Sequence, residues 1–133
     1  MKTSFLISIV DTGVSNIASV KSALDALGLD YELVSDPAIL ARAEIILLPG
    51  VGSFESGMKN LSRKGLDTVL IEKIRSGTPT LAICLGMQLL CEGSAEAPGL
   101  KGLGIIPGVC EALPNQVRVP QQGWNSVCLL YTS

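Results

Sequence analysis

Apolar and polar positions fall into blocks along this chain, and each block has a period that predicts an element. Phe5-Leu6-Ile7-Ser8-Ile9-Val10 is β-branched, almost continuously apolar and closed by the polar turn Asp11-Thr12-Gly13, as a strand buried on both faces would be. It predicts a central parallel strand. From Ser15 the apolar positions Ile17, Val20, Leu24 and Leu27 recur at three- and four-residue steps and Gly28 follows, which predicts an amphipathic helix with a glycine stop. Tyr31 to Val34 reads as a second strand before an Asp36-Pro37 break. Glu44 to Leu48 reads as a third that runs into Pro49-Gly50-Val51-Gly52. To that point the order is β-α-β-β.

Helical spacing returns from Phe54 to Arg63, with Met58 and Leu61 on one stripe, and from Leu66 to Arg75, where Leu66, Val69, Leu70 and Ile74 share a face. Gly77-Thr78-Pro79 ends it. Thr80 to Ile83 reads as a fourth buried strand, and Cys84-Leu85-Gly86 turns directly into the helical run Met87-Gln88-Leu89-Leu90. After Glu92 the texture becomes rich in Gly, Pro and Ala. Beyond it, Gly104-Ile105-Ile106 and Gln116 to Val119 suggest a β-rich C-terminal portion. Strands alternating with helices predict one α/β domain over residues 1–133 with a doubly wound, mostly parallel sheet. Ligands bind beyond the carboxyl ends of such strands, so the loops 11–16, 49–53 and 84–86 are expected to converge on a site.

Composition narrows the chemistry. At 133 residues the chain is the size of one domain, and its 47% apolar and 17% charged content is that of a globular interior and excludes disorder. Ten basic residues against twelve acidic ones, with no basic block, disfavour nucleic acid and anionic membranes as partners. The six-residue apolar run near the N-terminus is too short to span a bilayer. Cys84, Cys91, Cys110 and Cys128 form no C-x-x-C pair and no zinc-type spacing, which fits a reducing cytoplasm and neither a disulfide framework nor a metal site. There is no histidine at all, so no catalytic dyad or metal site that needs imidazole can be completed within these residues.

Ala82-Ile83-Cys84-Leu85-Gly86 places a thiol between a buried strand and a helix, with a small residue two positions to either side. That is the pattern of a nucleophile elbow, a tight turn that pushes the side chain out above the sheet. The following helix N-terminus favours negative charge on the sulfur and offers backbone N–H groups to an oxyanion. A buried structural cysteine at a strand end has the same local sequence. Pro49-Gly50-Val51-Gly52-Ser53 has two glycines that let the backbone approach a ligand or turn a peptide N–H toward a developing negative charge. Taken alone it is equally a glycine-rich turn. It is too short and lacks the lysine for a phosphate-cradling loop, and Asp11-Thr12-Gly13-Val14-Ser15 lacks the glycines of a dinucleotide fingerprint.

Together, Cys84-Leu85-Gly86-Met87-Gln88-Leu89-Leu90, Pro49-Gly50-Val51-Gly52 with Phe54 and Gly57-Met58 after it, Pro98 to Gly104, and Gly123-Trp124-Asn125 resemble the class I glutamine amidotransferases. The combination is similar to their histidine-biosynthesis branch, the glutaminase subunits of imidazole glycerol phosphate synthase. The resemblance runs to about Val127 and implies the flavodoxin-like fold of that family. It implies that Cys84 attacks the side-chain amide of glutamine, releases ammonia and leaves a thioester for water to hydrolyse, with neither cofactor nor metal. Backbone N–H groups of Leu85 and of the Val51–Gly52 turn would form the oxyanion hole, and Gly50, Gly52 and Gln88 would hold the glutamine. The partner implied is a cyclase, a (β/α)8 barrel in a heterodimer, which uses the ammonia to make imidazole glycerol phosphate. Trp124 with Asn125 would anchor that interface, half-buried core packing being the alternative for the indole. The loop through Asn16 is a second interface candidate, with a helix N-cap by Ser15 or Asn16 as its alternative.

The chain also departs from its family. Class I glutaminases activate the thiol with a histidine oriented by a glutamate, both following the Gly-Trp-Asn region, and neither is expected here. The resemblance thus implies a C-terminally truncated domain with exposed strand edges, marginal stability and negligible glutamine hydrolysis. Ala82 stands where the family usually has glycine, and Gln121 where it often has histidine. Residues 128–133 leave the family pattern and read as a non-native tail. Beside an incomplete glutaminase stand two alternatives: a docking or regulatory module that keeps the barrel-binding face without catalysis, or a glutaminase or other Cys hydrolase of a different pathway on the same fold.

Overall fold

The computed structural model describes residues 5–129. Strand β1 (Leu6–Val10) lies inside a four-stranded parallel sheet with β2 (Asp30–Val34) on one side and β3 (Ile45–Gly50) on the other, and β3 pairs in turn with β4 (Thr80–Cys84). The strand order β2-β1-β3-β4 makes β1 and β3 interior. Their run from Ser8 to Val10 and from Ile46 to Gly50 is buried, as continuous apolar sequence requires of strands covered on both faces. Leu6 is exposed, so only the carboxyl half of β1 meets the expectation of two covered faces.

Helix α1 (Ile17–Leu27) packs Ile17, Val20 and Leu24 onto Ile7, Ile9 and Leu47 on one face of the sheet. The Asn16 side chain accepts a hydrogen bond from Ser19 N–H at its start, and Gly28 ends it in the left-handed conformation, the two terminal devices that satisfy orphan backbone groups. On the other face lie α2 (Pro37–Leu40), α3 (Phe54–Arg63), α4 (Leu66–Arg75) and α5 (Leu85–Leu90), which close the larger core around Val10, Ile46, Leu48, Phe54, Leu61 and Leu89. Helices on both faces make the sheet doubly wound. Gly57 sets the depth of one contact, because a Cβ there would sit 3.0 Å from Leu89 Cδ2.

Three expectations are corrected. The Asp36-Pro37 break is a helix start, since Asp36 caps the Ala38 N–H and Pro37 occupies the first turn, where its missing N–H costs nothing. The order is therefore β-α-β-α-β. Gln116 to Val119 is not a strand: it forms an exposed turn, because strand-like residues without a partner backbone have nothing to pair with. The C-terminal β-structure is instead a separate two-stranded parallel sheet of β5 (Cys91–Ser94) and β6 (Ile106–Cys110).

The expectation that Thr80 to Ile83 is a buried strand is corrected as well: among the described residues β4 has no strand on its outer side, and its Leu81 and Ile83 side chains are exposed. With Leu24, Leu27, Leu29 and Leu47 they line an open apolar groove of about 490 Å³ beside α1. No helix among these residues is long and apolar enough to cross a membrane. Of the residues 128–133, only Cys128 and Leu129 are among those described; the rest of that tail lies outside them.

Candidate active site

Cys84 closes β4 and α5 begins at the next residue. Its backbone has φ 55° and ψ −118°, and it is the one non-glycine residue with positive φ among those described. A side-chain-bearing residue in that region carries a strain of about 1–3 kcal/mol and is held there only by surrounding structure. The restraint is visible. Leu85 and Gly86 are buried, and a Cβ on Gly86 would lie 1.8 Å from the Leu48 carbonyl oxygen, so the first turn of α5 rests directly on the β3 backbone. Cys84 is exposed above this contact. The sulfur is thus presented at a sharp bend, not sequestered in the core.

The glycine turn meets the same bend. Gly50 is in register with Cys84 across β3 and β4, and a Cβ on Gly50 would be 3.0 Å from Leu85 Cβ and 3.1 Å from Gly86 N. Only a residue without a side chain lets the two loops approach so closely. Gly52 has φ 98°, a left-handed conformation that glycine adopts without penalty. Leu85 N–H lies at the start of α5, where intrahelical acceptors are lacking. Val51 N–H, by contrast, donates to the Val14 carbonyl at 2.7 Å. In this conformation it is engaged by the neighbouring loop and does not point to the sulfur.

That neighbouring loop is itself anchored. Lys64 Nζ donates to the Asp11 carbonyl oxygen at 2.9 Å and to Asp11 Oδ2 at 2.8 Å, Ser35 Oγ donates to Oδ2 at 2.9 Å, and Gly13 N–H donates to Oδ1 at 2.9 Å. Thr12 is buried beside Pro49. The Lys64 hydrogen bond first of all, against partial burial, holds the Asp11 carboxyl below its ordinary value of 3.8. A carboxyl lowered by folding stabilises the fold above its unfolded pKa and loses that contribution as pH falls through the folded value. Lys64→Met is therefore expected to cost about 1 kcal/mol near neutral pH. The deficit should shrink once the medium is acid enough to protonate Asp11 in wild type, leaving the share of the bond to the Asp11 carbonyl, as urea titrations across the acid range would show. A deficit independent of pH would contradict this role.

Of the remaining candidates, Gln88 shares α5 with the elbow, whereas Asn16, Trp124 and Asn125 belong to other segments. Gln88 is half-buried on α5 and lines a cavity of about 270 Å³ with Ser94, Glu96, Cys110 and Glu111. Asn16 is exposed, and its side chain carries the α1 cap. Trp124 is fully exposed among the described residues, and Asn125 Nδ2 reaches Gly123 O at 3.4 Å. The structure therefore brings Gly50 against Cys84, Leu85 and Gly86, and joins neither Trp124 nor Asn125 to them by any hydrogen bond among the described residues. Lys64 and Ser35 escaped the sequence reading because they act across 53 and 24 residues. The Asp11-x-Gly13 spacing did carry a local signal for its own turn. No group of three or more metal-ligating side chains gathers among the described residues.

A strained thiol at a strand-to-helix elbow, with Gly50 against it on a doubly wound sheet, has the geometry of a nucleophile elbow on an α/β framework. The chain belongs to the glutamine amidotransferase class-I family, whose model matches residues 8–132. Its similarity extends to curated proteins called imidazole glycerol phosphate synthase subunit HisH. It is 46% identical to that of Symbiobacterium thermophilum over 121 residues (91% of this chain and 57% of that protein). For Listeria monocytogenes serotype 4b the identity is 43% over 130 residues (96% and 62%). The chain thus spans about three fifths of the length of these relatives. Among solved structures, a glutamine amidotransferase superposes with a TM-score of 0.69 at 19% identity, covering 79% of this chain and 55% of that one. A peptidase E protein from Listeria monocytogenes superposes at 0.60 and 17% identity, covering 80% and 66%. These two establish the fold alone.

Proposed function

We propose that this chain is the thiol-bearing part of the glutaminase subunit of imidazole glycerol phosphate synthase. Its task in that reading is to release ammonia from glutamine for a cyclase (β/α)8 barrel in histidine biosynthesis. The Cys84 sulfur attacks the carboxamide carbon of glutamine, the carbon–nitrogen bond breaks and the nitrogen leaves as ammonia, and water then cleaves the thioester to glutamate and free thiol. Negative charge on the carboxamide oxygen is met by Leu85 N–H and by a donor of the Val51–Gly52 turn. Val51 N–H is engaged by Val14, so either Gly52 supplies that donor or the Val51 peptide turns over, a move that the glycines flanking it permit. Gly50, Gly52 and Gln88 hold the amino acid. Trp124, Asn125 and the loop through Asn16 form the barrel-facing surface, for which the fully exposed indole is the supporting observation.

The single observation that carries this reading is the Cys84 backbone at positive φ with its side chain in solvent. A chloroketone analogue of glutamine tests it. Alkylation is expected at Cys84 ahead of Cys128, although both thiols are exposed, and excess glutamine should protect Cys84 alone. Equal labelling of the two, or no protection by glutamine, would show that the elbow binds no such amino acid.

A further inference from the structure

Two cysteines lie outside the elbow, and they lie together. Cys91 opens β5, Cys110 closes β6, and Cys110 Sγ is 3.4 Å from Cys91 Sγ although 19 positions separate them in the chain. Cys110 is registered against Ser94, not against Cys91. Strict alternation would put residues 91 and 94 on opposite faces of the strand. The register is irregular between Cys91 and Gly93, so regular alternation does not hold there, and it is the sulfur–sulfur separation that places the two thiols together. Both thiols are free. Cys91 is buried, whereas Cys110 is half-buried and opens onto the cavity that Gln88, Glu96 and Glu111 also line.

We propose that Cys91 and Cys110 form a reversible oxidation site, closed to an intrachain disulfide by a small uncharged or cationic disulfide entering the cavity at Cys110. The Cys110 thiolate attacks one sulfur of that reagent, forming a mixed disulfide and expelling the first thiol. Cys91 then passes its proton to the thiolate already expelled and displaces the second, which takes up the proton that Cys110 lost, so the reagent gains the two electrons and two protons that the protein dithiol loses. The order follows from access and acidity. Burial, with Cys110 beside it, pushes the Cys91 thiol up to about 11, so Cys91 is a poor first attacker on a reagent in solution. Held within van der Waals reach of the mixed disulfide, it becomes an efficient second one. The carboxylates of Glu96 and Glu111 disfavour anionic disulfides. Closure would fasten β6 to the residue that ends α5. None of this depends on the glutaminase reading.

The test uses cystamine on the chain carrying Cys84→Ser and Cys128→Ser, which leaves two thiols. The expected product has lost the mass of two hydrogens, retains no cystamine, and yields on tryptic digestion the peptide 76–101 linked to 102–118, a link that dithiothreitol reverses. Anionic glutathione disulfide should act about tenfold more slowly. Cys110→Ala in that background should leave Cys91 unmodified. If the double variant does not fold, fragment sequencing of the same linked peptides from the wild-type chain gives the answer. A stable cystamine adduct on Cys110 beside a free Cys91, or cross-linking only between chains, would overturn the proposal.

Discussion

Gly86→Ala is expected to destabilise the chain by about 3 kcal/mol or more and to abolish selective alkylation of Cys84. The added Cβ would fall 1.8 Å from the Leu48 carbonyl oxygen and 2.8 Å from its carbon. Both are main-chain atoms of an interior strand, and a close-packed interior does not yield by more than an ångström without breaking neighbouring contacts. Relief by moving α5 would carry away Leu85 and Leu89, which are buried in the main core. It would also release the restraint that holds Cys84 at positive φ. Neighbouring glycines calibrate the prediction. Gly50→Ala meets Leu85 Cβ at 3.0 Å and should cost less, about 1–2 kcal/mol. Gly77→Ala, in open space at φ 92°, should cost only its backbone strain, about 1 kcal/mol. Urea midpoints for the three variants test the ranking, and Gly86→Ala no worse than Gly77→Ala would mean that α5 does not rest on β3.

The parts of the fold that were legible in the sequence are those whose signals are local. The helices over 54–63 and 66–75 have the bounds that their apolar stripes predict, because Ser53 caps the first and glycines at 65 and 77 flank the second. The elbow was legible for the same reason: its small–Cys–small spacing encodes a steric demand that Leu48 enforces. Sequence patterning failed where pairing decided the outcome. Cys91-Glu92-Gly93-Ser94 has little strand propensity and becomes β5 because β6 lies alongside it, whereas Gln116 to Val119 has strand-like residues and no neighbour. The hydrogen bond from Val51 to Val14, which decides what the glycine turn can donate, joins two loops whose local sequences say nothing of each other.

The 133-residue chain is expected to release ammonia from glutamine no faster than its Cys84→Ala variant. Attack by a thiol needs its proton removed, and departure of an amide nitrogen needs a proton supplied, since an amide anion is too basic to leave. General acid–base groups contribute about 10²–10⁴-fold to such steps, and the side chain best suited near neutral pH is imidazole. The chain contains no histidine. Two of its carboxylates are already engaged: Asp11 is held by Lys64, Ser35 and Gly13, and Glu92 accepts from Gly108 N–H. Displacement of chloride from the carbon beside a ketone needs no proton delivered to the leaving group, so alkylation of Cys84 should persist where hydrolysis fails. Labelling together with absent turnover would separate the geometry of the elbow, which these residues build, from the proton transfer, which they do not. Ammonia release well above background and lost in Cys84→Ala, followed in a coupled glutamate assay, would mean that another side chain moves the proton.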